Sequence, residues 1–178
     1  MKKILLSILV LIIVAVGALF AINGTSNYDP SKYSLKVTPA DKPFGIGSTI
    51  AFTLPDQFDK PQSLPADTQK LIFVFTKPTG HIFRSWMAFH EQADYLNQHK
   101  LAAVADVSGM PTVILNTFAM PDFRKSKYSL ELIYDKKMAA KLKEGQQVDK
   151  VIVMSLDHGK VTKVEHAGSV EELDALLK

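Results

Sequence analysis

The run Leu71-Ile72-Phe73-Val74-Phe75 constrains this chain more than any other stretch. Five contiguous apolar residues with no polar alternation describe a strand covered on both faces, which requires packed layers above and below a sheet. Pro78 and Gly80 follow in Thr-Lys-Pro-Thr-Gly, so a turn is expected there. Beyond it Phe83, Trp86, Met87, His90, Ala93 and Leu96 recur at three- and four-residue steps, with Arg84, Glu91, Gln92 and Asp94 between them. That is an amphipathic helix with one face in the core, where Trp86 is expected to pack rather than bind. Ala102 to Val107 is the next strand, completing a βαβ unit with a right-handed crossover.

Ahead of this unit, Lys2 and Lys3 precede an uncharged run from Ile4 to Ile22 in which Ser7 is the one polar side chain. A run of this length is about what crosses a bilayer, and it exceeds the usual core of a cleaved signal, about 7–15 residues. We expect an uncleaved anchor, N-terminus inside and domain outside. Cleavage after Gly17 or Ala18 is the alternative, since Ala15-Val16-Gly17 offers small residues. Both place the remainder beyond the cytoplasm, either on the periplasmic or extracytoplasmic side of the inner membrane or free in the periplasm. The expected organisation is a signal anchor or signal peptide over 1–24, a linker over 25–44 and one domain over 45–178.

The chain of 178 residues contains no cysteine, which excludes disulfides, thiolate catalysis and thiolate metal ligation. Without Lys2 and Lys3, the 21 Lys and Arg become 19 against 18 Asp and Glu, a near-balance that argues against a nucleic-acid partner. Gly45-Ile46-Gly47 is no dinucleotide loop, because position 50 is Ile and no helix follows. Nothing else resembles a phosphate loop, so no flavin or other cofactor is expected.

The remaining elements follow from turn and cap residues. Ile50 to Leu54 reads as a strand, with a turn over Pro55-Asp56-Gln57 and a return near Gln62 to Leu64. Pro111 suits the first turn of a helix reaching about Ala119, with Val113, Ile114 and Phe118 apolar, and Pro121 is expected to end it. Met110-Pro111 is expected trans, as most such bonds are. Leu130, Leu132 and Tyr134 alternate with Glu131 and Ile133 in a strand from Tyr128 to Tyr134. Asp135 can cap a short helix closed by Gly145. Val148–Leu156 and Lys160–His166 flank a hairpin turn at Asp157-His158-Gly159, and Ser169 with Glu172 makes a capping box for a last helix.

The phrase FTLPDQFDKPQSLP followed by LIFVFTKP resembles the opening of the peroxiredoxin and alkyl hydroperoxide reductase superfamily, with Asp59 where that family usually has Gly. LIYDKKMAAKL and VIVMSLDHGKVTKVEHAGSVEELDALL are similar to the ending of the same superfamily and of thioredoxins, so the resemblance covers roughly residues 45 to 177. It implies a thioredoxin-like three-layer α/β/α domain with a central mixed sheet. In such folds the strand-to-helix junction carries the reactive cysteine. The resemblance places Thr76 near the family proline, Thr79 near its Thr/Ser, Phe83 near its cysteine and Val151 near its catalytic arginine. Peroxide reduction and disulfide exchange therefore have no agent here, and a Thr or Ser hydroxyl needs an activating base to replace a thiolate.

What remains is a binding edge: Thr76, Lys77, Thr79, His81 and Arg84 at the junction, with Asp106, Ser108, Met110 and Pro111 brought near because loops after parallel strands gather at one sheet end. Among five histidines, His81 is the one at the site position. His90 lies nine residues on, at a different angle around the helix, so no shared metal is expected. The expected function is a redox-inactive, membrane-anchored or periplasmic module that binds a protein or ligand of the cell envelope. Its contacts would be the membrane, through residues 4–22, and an envelope protein. The alternatives are a non-thiol enzyme centred on His81 and Asp106, or an envelope assembly factor. No catalytic residue is assigned.

Overall fold

The structure is a computed structural model, and it describes residues 2–90, 92 and 94–178. Helix α1 (Lys2–Asn23) is followed by strands β1 (Ser34–Thr38), β2 (Thr49–Pro55), β3 (Pro61–Ser63) and β4 (Lys70–Val74). Helices α2 (Lys77–Met87) and α3 (Tyr95–Gln98) lead to β5 (Leu101–Asp106). Helices α4 (Thr112–Ile114) and α5 (Met120–Phe123) are joined by a π-helical turn, Leu115–Ala119. Then come β6 (Glu131–Ile133), α6 (Lys136–Lys143), the hairpin β7 (Val151–Asp157) and β8 (Lys160–Ala167), and α7 (Val170–Leu177).

The strands form one mixed sheet in the order β1-β2-β8-β7-β4-β5-β6, with β3 paired to β2. β4 runs parallel to β5 and antiparallel to β7, and β5 runs parallel to β6. β4 is buried on both faces, as its composition requires. Ile72 and Val74 enter one core with Phe83, Trp86 and Leu173, while Leu71, Phe73 and Phe75 enter the other with Ala139, Leu142 and Ile50. Helices α2, α3 and α7 thus cover one face and α6 the other, giving the expected three-layer α/β/α arrangement.

Local signals account for several boundaries. Asp135 accepts from Lys137 N (2.6 Å) and Met138 N (3.0 Å), capping α6, and Gly145 closes it at φ +75°. The β7–β8 turn needs positive φ at two consecutive positions, supplied by His158 (47°) and Gly159 (78°). Ser169 Oγ accepts from Glu172 N (3.2 Å), but Glu172 Oε2 reaches back to Gly168 N (2.6 Å), one residue before the expected box partner. Asp59, standing where the resemblance expects Gly, adopts φ +61°, so the position demands the left-handed region. The Asp56 carboxylate holds that turn by accepting from Phe58 N (2.8 Å) and Lys60 N (2.9 Å).

Other expectations are corrected. Part of the expected linker over 25–44 is sheet: β1 pairs with β2 from Ser34↔Thr53 to Thr38↔Thr49, and Phe44 is buried. Thr-Lys-Pro-Thr-Gly is no turn, since α2 begins at Lys77 with Pro78 in its first turn and Gly80 within it. The periodic run from Phe83 to Leu96 is not one helix. α2 stops at Met87 and a separate turn, α3, brings Leu96 into the core; Glu91 and Ala93 lie outside the described residues.

Pro121 does not end its helix. Met120 N donates to Leu115 O, a π-type bond that widens the turn just ahead of the proline and leads into α5. The strand expected over Tyr128 to Tyr134 is confined to Glu131–Ile133, all three buried. Gln57 spans the approach to it, donating to Tyr128 O (2.7 Å) and accepting from Leu130 N (3.0 Å). Those two backbone groups are thereby satisfied by a side chain rather than by a neighbouring strand. Met110-Pro111 is trans, and the cis bond among the described residues is Thr38-Pro39.

Candidate functional site

The junction between β4 and α2 is closed by hydroxyls. Thr76 caps α2 with extended backbone, its Oγ1 accepting from Thr79 N (3.4 Å), while Thr79 Oγ1 accepts from Thr76 N (3.0 Å) and donates to Thr76 O (2.9 Å). This is a reciprocal capping box with Thr in place of the usual Glu or Gln. Thr79 is wholly buried, and Pro78 brings no N–H. The donors that a helix N-terminus would turn toward an anion or a thiolate are therefore committed locally at residues 76 and 79. Phe83 is buried with its ring edge-to-face against Tyr128 at 5.6 Å, and Val151 is buried within β7. Both places that the resemblance assigns to reactive groups hold packed apolar side chains.

Beside the junction lies a groove of about 920 Å³ between α2, the end of β5 and the α4–α5 segment. Phe83, Met87, Val107, Met110, Phe123 and Leu130 contribute apolar wall. The size is at the upper end for a pocket that takes a small organic ligand. Across it, Arg84 Nη1 on α2 meets Asp122 Oδ2 on α5 at 2.5 Å, and Lys125 Nζ approaches the other carboxylate oxygen at 3.7 Å.

Six of the nine expected edge residues line this groove: Thr76, Lys77, His81, Arg84, Asp106 and Met110. Thr79 is sealed in the capping box. Ser108 and Pro111 stand outside the lining, and Ser108 N donates to Asp106 Oδ1 (2.8 Å). Ser108 does not cap the following helix; Pro111 occupies the cap position, with no side-chain bond. Asp106 is nearly buried and pairs with Lys143 of α6, whose ammonium also lies 5.4 Å over the Phe75 ring. His81 is exposed on the second turn of α2, and no hydrogen bond or ion pair ties it to Asp106. The pair needed for acid–base chemistry is thus not assembled.

Sequence reasoning missed Lys143, Asp122, Ile114, Phe118 and Gly80 as groove residues. Ile114 and Phe118, read from the sequence only as apolar helix residues, are 44% and 64% exposed. Trp86 does pack: it is 2% exposed, with Nε1 donating to Asp174 Oδ1 (3.3 Å). His90 stacks on Tyr95 (4.3 Å) and lies tilted against Trp86 (4.6 Å, 53° between the rings). No cluster of three metal-ligating side chains occurs among the described residues.

The groove thus sits where a strand, a helix and a parallel strand meet, within a sheet completed by an antiparallel hairpin and a closing helix. The fold is thioredoxin-like. Among solved structures it is similar to the peroxidoxin BcpB of Mycobacterium tuberculosis, at 18% identity over 75% of this chain and 94% of that one, TM-score 0.48. It is also similar to StoA from Bacillus subtilis (17% identity, 72% and 96% covered, TM-score 0.47). A third is the thioredoxin domain of a thiol-disulfide oxidoreductase from Bacteroides vulgatus (15%, 76% and 99%, TM-score 0.48). No protein-family model matches the chain, and no curated protein does.

Proposed function

We propose that the chain is a membrane-attached, redox-inactive thioredoxin-like module that binds a ligand or protein segment of the cell envelope in the groove beside the β4–α2 junction. The observation that carries this reading is the groove itself: about 920 Å³ of space at a junction whose hydroxyls are consumed in a capping box and which holds no thiol. Attachment rests on Ile4–Asn23, 20 residues whose most apolar stretch has a mean hydropathy of 3.1 and no buried residue, long and apolar enough to cross a membrane by length and composition. Assembly of another envelope protein is a form of the same reading, in which the occupant is a segment of that protein. The enzyme reading on His81 and Asp106 lacks its pair, because Asp106 is engaged by Lys143.

Gly80 provides the test. It lines the groove, and a Cβ added there meets nothing within 4 Å, so a side chain can leave the helix at this point and Gly80→Phe is the variant chosen to fill the groove. A photoreactive residue placed at Phe118 in full-length protein in cells is expected to give discrete adducts that Gly80→Phe abolishes. The same residue at Thr162, on the exposed side of β8, is expected to give none. Adducts indifferent to Gly80→Phe, or equal from both positions, overturn groove binding. Peroxide consumption by the purified full-length protein above that of buffer overturns the redox-inactive part.

A further inference from the structure

The groove's rim is unlike the rest of the molecule in charge. Five Lys and Arg line it, Lys77, Arg84, Lys125, Lys127 and Lys143, against two acids, Asp106 and Asp122. That surplus of three matches the formal charge of the whole chain, +3, of which Lys2 and Lys3 account for two. Its apolar wall ends in Ile114 and Phe118, one helical turn apart and both exposed. The same segment is tied to α1. Asn116, between those two residues, donates from Nδ2 to Asn23 O (2.9 Å) and Thr25 O (3.0 Å), the backbone where the apolar helix ends. Tyr28, three residues further on, stacks on Tyr33 (5.4 Å) and on Tyr134 of the domain (4.9 Å), which shortens the tether. With α1 in a bilayer, the exit of that helix lies at the lipid–water interface, and the groove wall is held to it by two hydrogen bonds rather than by a free linker.

We infer that the groove takes an anionic lipid from the bilayer in which α1 sits, with an acyl chain along Ile114, Phe118, Met110 and Phe83 and the headgroup at the Lys77, Arg84 and Lys125 rim. This rests on the binding-module and attachment readings above and names the occupant. The apolar wall answers the chain, the basic rim answers the headgroup, and the Asn116 link to the end of α1 supplies proximity to the source. Basic side chains near an anionic leaflet favour binding individually and sum along a patch. A neutral zwitterionic lipid offers the same acyl chain without that term. Occupancy would displace Asp122 from Arg84, an exchange of one exposed ion pair for another that costs little.

The test uses full-length protein in nanodiscs containing either phosphatidylglycerol or phosphatidylcholine carrying a photoactivatable acyl chain, with labelled peptides located by mass spectrometry. Labelling by the phosphatidylglycerol probe is expected on peptides containing Ile114–Phe118 and Phe83–Met87. It should exceed labelling by the phosphatidylcholine probe at least about tenfold and fall by a similar factor in Gly80→Phe. Labelling of α1 is the internal control and should not change. Labelling confined to α1, or groove labelling indifferent to Gly80→Phe, overturns the inference, and equal labelling by the two lipids overturns its anionic part. If lipid labelling fails while adducts from position 118 still require an open groove, the occupant is a protein and the binding-module reading survives. If both fail, both readings fall.

Discussion

Replacing Glu131 by Gln is expected to make the protein more stable at pH 8 by about 3 kcal/mol and to leave it nearly unchanged at pH 4. Glu131 sits in β6, 9% exposed, and its Oε2 finds no hydrogen-bond partner among the described residues. Burial is the main cause that lifts its carboxyl from 4.5 to about 7, with the nearby Asp56 charge adding in the same direction and backbone hydrogen bonds opposing. The native state therefore keeps a proton that the unfolded chain releases between these values. Stability from this group falls as pH rises through the window from 4.5 to about 7, by about 3 kcal/mol in total at 1.36 kcal/mol per unit, and is level above it. The amide of Gln cannot ionise, so the variant should lose this slope. Denaturant titrations read by Trp86 fluorescence at several pH values check it. Curves for the two proteins that run parallel from pH 4 to 8 would show that the carboxyl is not perturbed.

The second large effect belongs to Lys143. Its ammonium pairs with Asp106, whose side chain is 3% exposed and otherwise accepts from Ser108 N. Lys143→Met keeps an unbranched apolar side chain but takes the ammonium from over the Phe75 ring and leaves a buried carboxylate without its cation, a defect that costs about 3–5 kcal/mol when one partner of a buried pair is removed. Asp106→Asn in the same chain should restore most of the loss, since the orphaned charge goes with it. Unfolding measurements on the two single variants and the double variant give the coupling directly. A loss under about 1 kcal/mol in Lys143→Met, or a double variant no better than it, would mean that water screens the pair. The result also bears on function, because a structural Asp106 leaves the groove without an acid–base pair.

These two residues mark the boundary of what the sequence discloses. Strands betray themselves through their own composition: Leu71–Phe75 has no polar residue to turn outward, so its burial on both faces follows. Caps such as Asp135 and turns such as His158-Gly159 are local chemistry and are equally legible. Glu131 is not. It alternates with Leu130 and Leu132 as a residue of a solvent-facing side would, and only the layers closing over β6 bury it. Lys143 reads as one of several lysines ending α6 until the tertiary fold brings it to Asp106, 37 positions away (143 minus 106).

The junction itself was half legible. Its place after the central strand, and its lack of a thiol, come from residues 71 to 86 and the absence of cysteine. Its form does not, because Pro and Gly within five residues point to a turn, whereas Thr76 and Thr79 cap each other and start a helix through them. Likewise neither the π turn at Leu115–Ala119 nor the exposure of Ile114 and Phe118 beside it is announced by the periodicity. Six of nine expected edge residues line the groove because β4 and β5 are parallel, so the segments following them converge at one sheet end.

Amide hydrogen exchange is the direct test of whether the groove beside this capped junction is occupied in the membrane. Full-length protein in native membrane fragments should exchange more slowly over residues 77–84 and 110–119 than the same protein stripped of lipid and partners in detergent, with β7 unchanged as reference. In Gly80→Phe that difference should vanish. Equal exchange over these two segments in both preparations, or slowing that persists when the groove is filled, would contradict it.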